Sequence, residues 1–235
     1  MVTFRRAWKF FLDTLFPIEC VGCKKEGQWL CANCSLRLVV EEGNFCFVCK
    51  IRAQGGRTCF SCQNICGFSA AIRFFDYSVP IVKELLHTAK YKFVKEALTP
   101  LLYACEPFLM SKLELFDIDL RATLFVPVPL HPRRLRNRGF NQSEIIATRF
   151  ATSAGAKCVT ALHRLHMRPP QAFLNEQDRA INMKGNIGCI NPSVVYGQSV
   201  FLIDDVATTG ATLDECAQVL RNAGASKVWA IVLAK

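Results

Sequence analysis

Beyond about Ala70 the apolar residues of this chain follow two alternating rhythms: short unbroken runs, and stretches where they recur every three or four positions. The first rhythm fits strands buried on both faces, the second amphipathic helices. Strands are predicted over residues 71–77, 123–128, about 158–162, from 200 onward and over 227–234. A helix starts at Pro80 with Val82, Leu85, Leu86 and Ala89 on one face, and a second covers 95–113. Another follows Asn141, presents Ile145, Ile146, Thr148 and Phe150, and stops near Gly155. After Gly210 the apolar positions Leu213, Ala217 and Leu220 mark one more helix, with Gly224 as its stop. Strands alternating with helices predict an α/β fold: an open, mostly parallel sheet with helices on both faces.

Such sheets bind ligands beyond the carboxyl ends of their strands. At one of those ends four apolar residues, Val200 to Ile203, run into Asp204, Asp205, Val206, Ala207, Thr208, Thr209, Gly210, Ala211 and Thr212. A loop between strand and helix offers free N–H groups and a positive dipole end, which suits a phosphate. The threonines add hydroxyl donors, and Gly210 lets the backbone approach a ligand closely. Asp204 and Asp205 stand where carboxylates accept hydrogen bonds from a sugar diol. An ordinary capped turn needs one acid and no Thr-Thr-Gly. Phosphate on one side and diol on the other describe a ribose-5-phosphate site. The stretch resembles the signature by which type I phosphoribosyltransferases bind 5-phosphoribosyl-1-pyrophosphate (PRPP). The resemblance implies that residues 204–212 hold PRPP, with Asp204 and Asp205 as its catalytic acids.

Before Ala70 cysteines replace periodicity. Nine of the 13 lie between Cys20 and Cys66, and eight form Cys-x2-Cys pairs: Cys20/Cys23, Cys31/Cys34, Cys46/Cys49 and Cys59/Cys62. A two-residue gap lets one tight knuckle offer two thiolates to a metal, and zinc takes four in a tetrahedron. Four knuckles therefore predict two structural Zn2+ sites. Disulfides are disfavoured because no export signal accompanies the pattern. Sequential ribbons pair the first two knuckles and the last two; a cross-braced arrangement interleaves them. Cys66 is left as a spare, and Cys105, Cys158, Cys189 and Cys216 read as small buried hydrophobes.

A second loop lies at residues 126–142, Val-Pro-Val-Pro-Leu-His-Pro-Arg-Arg-Leu-Arg-Asn-Arg-Gly-Phe-Asn-Gln. Its Arg133, Arg134, Arg136 and Arg138 can neutralise a pyrophosphate or a DNA backbone. Together with the paired cysteines, this stretch is similar to the ComF family of competence-associated, phosphoribosyltransferase-like proteins. The resemblance spans nearly the whole chain. It implies a double zinc ribbon joined to a type I phosphoribosyltransferase-like domain, favours sequential zinc ligation, and links the protein to DNA uptake in natural transformation. It also implies that Pro129, Leu130 and His131 belong to a pyrophosphate loop, and that the arginines continue it as a mobile catalytic loop. Between Gly155 and Gly197 the family pattern is matched at Arg164, Gln171, Arg179 and Asn182, while His166 and Arg168 depart from it.

Residues 1–17 carry Phe4, Ala7, Trp8, Phe11 and Leu15 on one helical face, interrupted by charges, and are expected to dock rather than to anchor in a membrane. The expected organisation is that helix, a double zinc ribbon over 18–68, and the transferase-like domain over 69–235. No run approaches the ~20 apolar residues of a membrane span, so a cytoplasmic location is expected. A formal charge of +10 favours polyanionic partners. Basic residues and aromatics in the ribbons (Trp29, Phe45, Phe47, Phe60) either grip single-stranded DNA or serve the ribbons' own small cores. His87, His131, His163 and His166 form no recognisable triad. That suits pyrophosphate departure stabilised by charge and positioning, with Mg2+ accompanying PRPP. The expected role is a DNA-handling competence protein that binds PRPP and partners competence or recombination proteins; the alternatives are a true phosphoribosyltransferase of nucleotide or small-molecule metabolism and a non-catalytic PRPP sensor or scaffold.

Overall fold

The computed structural model describes residues 17–41, 43, 45–165 and 185–235. The amphipathic face at residues 4–15, and His166, Arg168, Gln171, Arg179 and Asn182, lie outside them. Five strands, β1 Ala71–Phe75, β2 Thr123–Pro127, β3 Lys157–Cys158, β6 Ser199–Val206 and β7 Lys227–Ala234, form one sheet in the order β1-β7-β6-β2-β3. Every neighbouring pair is parallel, as the alternating pattern predicts. Two short strands, β4 Leu162–Arg164 and β5 Ile187–Cys189, make a separate antiparallel hairpin.

The unbroken apolar run of β6 has a direct explanation in the two cores it separates. Phe201 and Ile203 pack on one face with Phe74, Phe125, Phe150 and Trp229; Val200 and Leu202 pack on the other with Val126, Val228 and Leu213. Alternate side chains point to opposite faces, so a strand covered on both must be apolar throughout. Helices α2 Pro80–Tyr91, α3 Thr99–Glu114 and α5 Gln142–Ala154 cover the first face, and α7 Ala211–Asn222 the second. Short helices α1 Ala32–Ser35, α4 Pro132–Arg138 and α6 Pro192–Val195 complete the set among the described residues.

Three local expectations change. The helix expected from residue 95 begins as a 3-10 turn, Lys95–Leu98, and becomes α-helical at Thr99, because Pro100 occupies its first turn. The strand expected at 158–162 divides, β3 pairing with β2 while Leu162 leaves for the hairpin. The arginine-rich stretch, expected as a loop, is helix α4. Pro132 presets its first turn, the His131 ring nitrogen accepts from the Arg133 N–H at 3.1 Å, and Gly139 closes it at φ +81°.

The cysteine segment folds as two copies of one knuckle. Lys24 and Lys50 both adopt left-handed φ (64° and 63°), and their N–H groups donate to Cys20 and Cys46 carbonyls at 2.8 and 2.9 Å. Cys20, Leu30, Cys31 and Cys34 of the first ribbon join the core beside Ile81 of α2. Phe47 of the second, with Cys66 and Phe68, joins the opposite one. The two ribbons thus flank the sheet.

Candidate functional site

Two loops meet at the carboxyl edge of the sheet because β2 and β6 are neighbours in register, Pro127 beside Ile203. The Val128 N–H donates to the Ile203 carbonyl at 2.9 Å, holding the start of the first loop against β6. Beyond β6, Thr208 and Thr209 are exposed and Gly210 caps α7 at φ +84°. The backbone N–H groups of Thr208, Thr209 and Gly210 make no hydrogen bond to described residues. Thr209 Oγ1 accepts from the Ala211 N–H at 3.3 Å. Unpaired amides at the start of a twelve-residue helix form a ready cradle for an anion.

The acids sit at the carboxyl end of β6, just before the loop. Asp204 Oδ1 accepts from Ser143 Oγ at 2.8 Å and from the Asp205 N–H at 2.9 Å. Burial, then the neighbouring Asp205 charge, raises the Asp204 carboxyl to about 6. Asp205 is buried, with 5% exposure, and pairs with Lys90 from the end of α2. Burial alone would pull the Lys90 ammonium down, but the charges of Asp205 and Asp204 outweigh it and hold it above the usual lysine value. Asp204 Oδ2 is left without a protein partner among the described residues. The pair therefore offers an open acceptor beside the anion cradle.

Helix α4 divides the four arginines. Arg134 and Arg138, four residues apart on one face, are half-buried, whereas Arg133 and Arg136 are exposed. Burial lowers the guanidinium pKa of both inner arginines, and Arg138 also feels the Asp205 charge. Arg164 on β4 lies close enough to Arg134 and His131 to lower both, after burial. Its Nε is buried and has no hydrogen-bond partner among the described residues. Asn141 and Gln142 brace this helix: Asn141 Nδ2 donates to the Val128 carbonyl at 3.0 Å, and Gln142 Oε1 accepts from Arg138. Pro129 and Leu130 connect β2 to the cap residue His131.

The eight paired cysteines gather in chain order, Cys20, Cys23, Cys31 and Cys34 in one group and Cys46, Cys49, Cys59 and Cys62 in the other. Within each, the sulfurs lie within 4.8 Å of one another. Tetrahedral Zn–S bonds of about 2.3 Å need sulfurs about 3.8 Å apart, so the donor sets fit zinc. Burial would raise Cys20 and Cys46, but N–H groups donating to each sulfur outweigh it and bring both thiols to about 6. Cys66, Cys105, Cys158, Cys189 and Cys216 belong to neither group. Among the described residues, no helix is long and apolar enough to cross a membrane.

The Phosphoribosyl transferase domain family matches residues 140–235. DNA utilization protein YhgH of Salmonella typhimurium is 30% identical over 231 residues, covering 86% of this chain and 96% of that protein. The chain belongs to the ComF family. YhgH of Escherichia coli K12 is 29% identical over 219 residues, 87% of this chain and 91% of its own. Competence protein ComFC of Streptococcus pneumoniae is 28% identical over 211 residues, 87% of each chain. In ComF terms the parallel sheet is a type I phosphoribosyltransferase fold, preceded by cysteine clusters consistent with zinc ribbons.

Lys90 and Ser143 escape sequence reasoning. Lys90 precedes Asp205 by 115 positions and Ser143 precedes Asp204 by 61. Only the strand order brings α2, α5 and β6 to one edge. Ser143 lies just past the quoted 126–142 stretch, and a polar residue in the first turn of a helix beside that loop is the signal that could have found it.

Proposed function

We propose that this ComF-family protein binds Mg-PRPP at the end of β6 and acts in DNA uptake during natural transformation. The observation that carries the reading is the unpaired N–H cradle of residues 208–210 beside the acid pair, with Asp204 Oδ2 open. In it, the 5′-phosphate sits on the Thr208, Thr209 and Gly210 amides and the threonine hydroxyls. The ribose diol is held by Asp204 and Asp205. The pyrophosphate lies toward Arg134, Arg138 and Arg164, whose Nε, without a partner among the described residues, supports an anionic occupant. Mg2+, arriving with the pyrophosphate, supplies charge neutralisation and takes few protein ligands. Zinc occupies the two four-cysteine groups structurally, since four thiolates leave no open position.

The DNA role is supported by the names of the relatives, which concern DNA utilization and competence. Exposed basic and aromatic residues add to it. Phe60 and Phe45 are 84% and 50% exposed on the ribbons, near exposed Lys50, Arg52 and Arg57, while Phe47 is spent in the core. Bases stack on such rings and phosphates pair with such cations.

Isothermal calorimetry with PRPP and Mg2+ tests the central claim. Wild-type protein should bind, and Asp204→Asn combined with Asp205→Asn should abolish binding with zinc content unchanged. Retained affinity in that variant would remove the acids from the ribose role.

A further inference from the structure

The second cysteine ribbon reaches the loop that follows β6. Phe47 lies inside its first knuckle, between Cys46 and Cys49, and is buried at 5% exposure. Its ring meets Phe68 edge-on at 5.7 Å between centroids. Lys235 Nζ lies 3.7 Å over the same ring and donates to the Phe47 carbonyl. On its remaining side the ring touches the loop. A Cβ placed on Gly210 would lie 2.9 Å from Phe47 Cε1 and 3.5 Å from Cδ1. Only glycine fits there, for want of space as well as for its φ.

A second contact binds the ribbon's far end to the same place. The Gly67 N–H donates to Asp214 Oδ1, and a Cβ on Gly67 would lie 2.9 Å from the Asp214 carbonyl oxygen. Gly210 and Asp214 bracket the first turn of α7, and the Asp214 N–H donates to the Gly210 carbonyl at 2.8 Å. The cap of α7 is therefore gripped from both ends of the second ribbon.

Phe47 in turn is held by its knuckle. The Cys46 N–H donates to the Ile51 carbonyl at 2.8 Å, and the Cys59 N–H to Cys46 Sγ at 3.5 Å. A ribbon this small takes its order from metal–thiolate bonds. Meanwhile the three amides of residues 208–210 have no hydrogen-bond partner among the described residues, and within the loop only the Thr209 Oγ1 bond from the Ala211 N–H steadies them. Ordering them at the moment of binding would cost conformational entropy.

We propose that Phe47 is a positioning residue for the ribose-phosphate loop, and that the second four-cysteine ribbon pre-organises that loop for its ligand. The ligand part of this proposal rests on the PRPP reading above; the positioning part does not. Phe47→Ala should retain two zinc ions per chain, speed amide hydrogen exchange across residues 207–212, and weaken PRPP binding by about threefold to tenfold. Phe47→Leu, which keeps apolar bulk, should give an intermediate change in both readouts. Cys49→Ser, which removes one thiolate of the second ribbon, should reproduce the faster exchange. If Phe47→Ala costs the ribbon its zinc, the Phe47→Leu exchange rate decides. Exchange over 207–212 unchanged in Phe47→Leu and Cys49→Ser would overturn the proposal. Faster exchange in a protein whose wild type ignores PRPP would uphold the positioning role and sink the ligand reading instead.

Discussion

Lys90 Nζ lies 3.2 Å from Oδ1 and 3.1 Å from Oδ2 of Asp205, joining the end of α2 to the end of β6. The lysine side chain is 31% exposed and the aspartate side chain 7%, so water screens one partner and not the other. Removing the cation leaves a buried carboxylate beside a second acid. Breaking a fully buried pair costs about 3–5 kcal/mol, and partial exposure of Lys90 reduces that to about 1–3. Lys90→Met should therefore melt several degrees below wild type at pH 7.5. The gap should narrow at pH 5, because without the Lys90 charge, which lowers it, the Asp204 carboxyl takes up its proton more readily. Thermal melts of both proteins at the two pH values check this, and an equal gap at both would contradict it.

Asp204 gives the site a pH dependence of definite sign. Its carboxyl is raised to about 6 by burial and by Asp205, so the folded protein holds a proton that the unfolded chain releases. Stability from this group is greatest below the ordinary carboxylate range and falls as pH rises through about 6. Ligand binding runs the other way, because a diol or an accompanying cation needs the carboxylate. PRPP affinity should rise from pH 5 and level off above about 6.5, while Asp204→Asn should flatten the profile at low affinity. The same substitution should raise Tm at pH 7.5 by a few degrees, since it removes a half-buried charge beside Asp205. Calorimetry and melts over pH 5–8 measure both trends; a Tm gain that persists unchanged at pH 4 would count against the assignment.

Zinc makes a separate prediction. Two ions per chain should be found by metal analysis, with four sulfurs at about 2.3 Å by X-ray absorption. Cys66→Ser should keep both ions. That thiol lies outside both four-cysteine groups, so neither tetrahedron needs it. Cys23→Ser or Cys59→Ser should each lose one. A stoichiometry of one in the wild type would break the correspondence between the two knuckle repeats.

Much of this was legible from the chain. The β6 run showed its two-sided burial because every position from Val200 to Ile203 is apolar, and Gly155 marked the end of α5 by its left-handed turn. Local signals of that kind survive folding. The status of the 133–138 segment was not legible, because its place beyond a strand end and the family resemblance argued for a loop while Pro132 and the His131 cap set a helix. Nor could the sequence pick out which arginines turn inward, a distinction that exists only once residues 134 and 138 share a helical face. Lys90 and Phe47 lay furthest out of reach, since Lys90 meets the site through strand order and Phe47 through the packing of its ribbon on the second core.

The division of α4 sharpens what the arginines should do. Half-buried Arg138 lies within electrostatic reach of Asp205, and half-buried Arg134 of Arg164, so their loss should act on a compact anion. Exposed Arg133 and Arg136 point to solvent, where a long polyanion can reach them. Arg134→Ala with Arg138→Ala should weaken pyrophosphate and PRPP binding by about a hundredfold or more, at about 1.5–3 kcal/mol for the charged hydrogen bond lost with each arginine. Its effect on single-stranded DNA should be small. Arg133→Ala with Arg136→Ala should leave pyrophosphate affinity near wild type. If both residues contact phosphates, it should flatten the logarithmic salt dependence of oligonucleotide binding by about 1.4, the value for two lost phosphate contacts on a single strand. Titrations at several salt concentrations separate the two pairs. Identical salt slopes for the outer-pair variant and wild type would take this helix out of the DNA-binding surface and leave the ribbons to carry it.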